Sequence, residues 1–110
     1  MAIISDTPVL DTLTAITADS LERCGLDGNS LLTARIAALV AVDAPAVSYL
    51  AHIGPAADAG VTLEQIQDIL IAVAPIVGTA RTVAAATRIT TALGIAVVAV
   101  EAELEAEQAE

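Results

Sequence analysis

Gly60-Val61-Thr62-Leu63-Glu64-Gln65-Ile66-Gln67-Asp68-Ile69-Leu70-Ile71-Ala72-Val73 carries a helix stop and a helix start back to back. Gly60 suits the left-handed position that ends many helices, because it has no Cβ to clash there. Thr62, three residues before Gln65, forms a capping box: the Thr62 hydroxyl accepts from the Gln65 amide and the Gln65 side chain reaches back. Leu63, Ile66, Leu70 and Val73 then recur at helical spacing and give the new helix one apolar face.

Working outward from this junction, the same signals recur. Upstream, Ala44-Pro45 opens a helix that runs to Ala59, with Asp43 placed to cap it. Before that, Leu26-Asp27-Gly28-Asn29 is turn chemistry, and Ser30 caps a helix with Leu32, Ile36, Leu39 and Val40 at helical spacing. Asp6-Thr7-Pro8 begins the first helix and Cys24-Gly25 ends it. Downstream, Pro75 and Gly78 break or kink the central helix, and Thr79 starts a fifth that ends at Gly94. Arg81 and Arg88 lie two turns apart on one side of it. A sixth helix starts near Ile95, and the alanines and glutamates around Val97-Val98-Ala99-Val100 favour helix over strand there. Its tail, residues 101–110, sets five carboxylates at a helix C-terminus, where the macrodipole and the 101/105 and 103/107 pairs favour fraying. The expected fold is all-α, a compact bundle of five to six helices in a single domain over residues 1–110.

The totals narrow the function classes. The chain of 110 residues is 56% hydrophobic with one aromatic residue, so its core is built from Ala, Val, Ile and Leu. That apolar share exceeds what a small domain ordinarily carries, roughly 45–50%, and self-association is the natural outlet. A net charge of −10, with four arginines and no lysine, argues against nucleic acid and against anionic membrane surfaces. The apolar run 69–80 contains Pro75 and Gly78 and is too short to span a bilayer. No basic region followed by an apolar core opens the sequence, so a cytoplasmic location is expected. One cysteine, Cys24, excludes dithiol chemistry within the chain, and with a single histidine it leaves no ordinary zinc site.

The residues with chemical potential gather in Asp43-Ala44-Pro45-Ala46-Val47-Ser48-Tyr49-Leu50-Ala51-His52, which holds the only tyrosine and the only histidine. Helical spacing brings Ser48 to His52 and Tyr49 to His52 along one edge. His52 reads as a proton-transfer residue or as a hydrogen-bonded interface histidine, and Tyr49 as a substrate-positioning group or a core filler. Ser48 reads as a substrate contact or a small packing residue. Arg81 and Arg88 read as an anion site or as partners of the chain's many acids.

The order of these residues resembles the carboxymuconolactone decarboxylase-like family, whose peroxidase branch carries Cys-x-x-Cys-x-x-x-His at the start of the corresponding helix. Here that frame reads Pro45-Ala-Val-Ser48-Tyr-Leu-Ala-His52. Leu26-Asp27, Ala59-Gly60-Val61-Thr62 and Val77-Gly78-Thr79-Ala80-Arg81 are similar to other turns of the family, so the resemblance covers about residues 26–94. It implies a helical domain assembling as a homo-trimer or homo-hexamer. With Pro45 and Ser48 in place of the cysteine pair, it implies no peroxidase activity. It also implies cofactor-free proton transfer or decarboxylation on a small carboxylate or lactone, with His52 catalytic and Tyr49, Ser48 and Arg81 binding substrate. The alternative is a non-catalytic, homo-oligomeric helical assembly or binding module.

Overall fold

The computed structural model describes residues 5–108, so the expectations for the first four residues and for the last two of the acidic tail lie outside the described residues. Five helices follow one another: α1 (Pro8–Arg23), α2 (Gly28–Ala41), α3 (Ala46–Asp58), α4 (Leu63–Val77) and α5 (Thr79–Gln108). With no strand among the described residues, the chain is an all-α helical bundle.

At the α3–α4 junction the reading holds in its main part. Gly60 takes φ 81°, and its amide bonds to Ala57 O while Val61 N bonds to Ala56 O at 2.9 Å. This is a Schellman stop, sealed by the packing of Val61 and Ala56 in one apolar cluster. Thr62 Oγ1 accepts from the Gln65 amide at 3.0 Å. The return half of the capping box is absent, because the Gln65 side chain turns to α2 instead. Its Nε2 donates to Asn29 Oδ1 at 2.6 Å and to Thr33 Oγ1 at 2.8 Å, and its Oε1 accepts from Asn29 Nδ2 at 3.1 Å. A half-buried amide gains more from fixed partners across the helix interface than from an exposed backbone amide.

Two other boundaries depart from expectation, and a third falls at Gly78 as expected. Asp27, not Ser30, caps α2: the Ser30 amide and hydroxyl donate to its carboxylate at 2.8 and 3.0 Å. Those two donors hold the Asp27 carboxyl below the usual aspartate range. Asp43 does not cap α3 but ends α2, at φ 58°. There Asp43 N bonds to Val40 O, and Ala44 N bonds to Leu39 O at 3.0 Å, repeating the Schellman geometry without glycine. Pro75 lies inside α4 without ending it. The break comes at Gly78, whose φ of 91° and ψ of 164° suit glycine alone.

The largest difference is that α5 is one helix of 30 residues, running straight through Gly94 and on into the acidic segment. A lone glycine costs about 1 kcal/mol in a helix interior. No proline or cluster of turn residues follows it to convert that cost into a stop.

Helices α2 to α5 form the body. Leu31, Leu32, Ile36, Ala56, Val61 and Ile69 make one apolar cluster, and Val40, Ala44, Tyr49, Ala85, Ile89 and Ala92 make the other, so α2 threads both. Helix α1 packs against none of the other helices and buries none of its residues. The far end of α5 likewise outruns the body, with its side chains exposed from Val97 to Gln108. The radius of gyration is therefore 16.2 Å, against about 13 Å for a compact domain of this length. By length and composition α5 is apolar enough to cross a membrane. Three residues of its first half, Ala85, Ile89 and Ala92, are buried in the body.

Candidate functional site

The second apolar cluster sits beside a cavity of about 260 Å³. Ile36 of α2, Tyr49, His52 and Ile53 of α3, Ile66 of α4, and Ile89 and Leu93 of α5 contribute to its wall. Among these, only His52 and Tyr49 carry a polar side-chain atom, so the sequence spacing that joined them has placed both on one largely apolar surface.

How α3 begins explains how His52 is aimed. The Schellman stop at Asp43 turns the chain, Pro45 takes the extended N-cap conformation, and the first turn closes with Ser48 N on Pro45 O at 3.0 Å. One turn on, His52 Nδ1 lies 2.7 Å from Ser48 O. A carbonyl only accepts, so Nδ1 carries the hydrogen, and Nε2 of the neutral ring keeps its lone pair. The Ser48–His52 proximity thus exists through the backbone carbonyl. The Ser48 hydroxyl is not on the cavity wall.

Tyr49 is 3% exposed. Its hydroxyl is sealed from solvent and has no hydrogen-bond partner among the described residues. Burial pushes its pKa up; the nearby Arg88 guanidinium pulls the other way, and the Asp43 carboxylate adds to the rise. The phenol therefore stays protonated at neutral pH.

Of the two readings for Arg81 and Arg88, an anion site or partners of the chain's acids, Arg88 meets the second. Arg81 Nη1 donates to Ala41 O, the last carbonyl of α2, at 2.6 Å. Arg88 Nη1 pairs with the Asp43 carboxylate and donates to the carbonyls of Asp43 and Ala44, each at 3.2 Å. Seven residues of helix advance about 10 Å, which lets the two guanidiniums straddle the end of α2. There cations answer orphan carbonyls and the negative pole of the dipole. Neither lines the cavity. Sequence reading gave acid pairing for Arg88 but not the acid, because nothing local to Asp43 indicates a partner 45 residues away.

Cys24 is half-buried against the first apolar cluster. Arg35 donates to Ser20 Oγ at 3.1 Å and so ties α1 loosely to α2. Among the described residues no three His, Cys, Asp or Glu side chains gather closely enough to hold a metal ion. Compared with family models, curated proteins and solved structures, the chain matches none of them.

Proposed function

We propose that this chain binds a small, mostly apolar carbonyl compound, a lactone or a compact carboxylic acid, in the cavity beside His52. In this reading it performs cofactor-free proton transfer of the carboxymuconolactone decarboxylase-like kind. One observation carries the reading: the Ser48 carbonyl fixes the imidazole tautomer and leaves a basic Nε2 on a half-buried side chain of an apolar cavity. Such a nitrogen suits proton removal from a carbon next to a carbonyl and return of that proton elsewhere on the same molecule. In a decarboxylation Nε2 takes the proton of the carboxylic acid, the C–C bond electrons stay on carbon as carbon dioxide leaves, and the same proton returns from the ring to that carbon. Because no arginine lines the cavity among the described residues, a buried carboxylate would lack a counter-charge there, which favours a neutral lactone or a protonated acid. Tyr49 forms part of the wall. With Pro45 and Ser48 at the positions of a redox pair, peroxidase chemistry is not part of the proposal.

The test is deuterium wash-in. A panel of five- and six-membered lactones in deuterated buffer gains label at the carbon next to the carbonyl with the wild-type protein and not with His52→Gln. Equal rates for the two proteins, or cavity methyl resonances of Ile53 and Ile66 unmoved by every lactone, would sink the reading.

A second reading, a homo-oligomeric assembly module in an aqueous compartment such as the cytoplasm, is supported by a separate observation. The chain presents 7691 Å² to solvent, about 2,000 Å² more than a compact monomer of its mass. Obligate homodimers bury on the order of 1,000–2,500 Å² per partner. The exposed apolar helix faces are better hidden against copies of this chain than in a bilayer. Arg88, in the middle of the apolar part of α5, is bound to the α2–α3 corner.

A further inference from the structure

Two helix faces have no partner among the described residues. On α1, Val9, Leu10, Leu13, Ile16 and Leu21 fall on one side, and each is at least half exposed. On α5, Leu93 still belongs to the core, but the same stripe continues through Val97, Val100 and Leu104 beyond the body. The seam 93, 97, 100, 104 alternates steps of four and three, the spacing by which one helix grips another. The two faces match in length: α1 spans about 24 Å and residues 94–108 about 22 Å.

Resting on the assembly reading above, we propose that α1 of one copy packs on the distal half of α5 of a neighbouring copy, in a closed ring of exchanged arms. A contact between unlike faces that closes on itself leaves neither face uncovered. The surplus of about 2,000 Å² over a compact monomer lies within the range that obligate dimers bury. The four-residue linker Cys24 to Asp27 and the single described hydrogen bond holding α1 to α2, from Arg35 to Ser20, leave the arm free to reach away from its own body.

Two variants test the exchange. Ile16→Asp breaks the α1 face and Val97→Asp the α5 face, and neither residue is buried in the body, so both proteins keep wild-type circular dichroism in the near-ultraviolet. In native mass spectrometry the wild type is oligomeric, and each variant alone falls to a monomer. Mixing the two variants restores a heterodimer, since the intact α1 of one meets the intact α5 of the other. If like faces paired, α1 with α1 and α5 with α5, mixing would restore nothing, and that result overturns the proposal while leaving self-association standing. Variants that both remain oligomeric also overturn it. A monomeric wild type removes the assembly reading itself. In that case flotation with phosphatidylcholine vesicles assigns the faces to lipid, and a compact hydrodynamic radius returns α1 to its own body.

Discussion

Replacing Tyr49 with Phe deletes one oxygen atom from the second apolar cluster and nothing else. In the ligand-free protein that oxygen is sealed from solvent and meets no partner among the described residues, while the ring is packed at 3% exposure. Burying a hydroxyl without a hydrogen bond costs about 1–3 kcal/mol on the scale of protein mutations. The Phe side chain keeps the ring packing, so the variant is more stable than the wild type by up to that amount, tempered by the small void left where the oxygen was. For a domain of this size each kcal/mol moves Tm by about 4–8 °C. Tm therefore rises by several degrees in a thermal melt followed by circular dichroism, and the urea midpoint moves with it at unchanged slope. If the hydroxyl serves a ligand, the same change weakens ligand binding while stabilising the empty protein, so stability and affinity move in opposite directions. A Tm that falls by more than a degree or two would show that the oxygen has a partner in solution, and the argument from the sealed phenol would fail.

Gly94→Ala raises stability by about 0.5–1 kcal/mol, because Gly94 lies inside α5 and an added Cβ meets nothing within 4 Å; a loss of stability in urea unfolding would mean that the chain breaks there after all. Arg88→Met costs about 1–2 kcal/mol, since the carbonyls of Asp43 and Ala44 lose their donor. Asp43→Gly is close to neutral in the same assay, because losing the ion pair is offset by relief of the left-handed backbone at φ 58°. Asp27→Asn lowers stability at neutral pH. Because the folded carboxyl titrates below its ordinary 3.8, the Asp27 contribution is fully present above that value and lost as pH falls through the folded one, so the two urea midpoints converge in acid.

What the sequence disclosed and what it withheld divide by distance along the chain. The Thr62 cap, the Gly60 stop and the approach of Ser48 to His52 each depend on groups within five residues, and each is found where spacing placed it. Gln65 and Asp43 were misassigned because each had a plausible local partner and took a distant one, 36 and 45 residues away. No period or cap motif encodes such a choice; it is made when two helices pack and a half-buried polar group must be satisfied. Gly94 is the instructive exception, a local signal that failed because one unfavourable residue competes with the summed preference of its neighbours. The site follows the same division. His52 and Tyr49 share a wall because they are one turn apart on α3, whereas Arg81, equally visible in the sequence, was claimed by a carbonyl at the end of α2. A basic residue on a helix is thus assigned to substrate only after the orphan carbonyls within its reach have been counted.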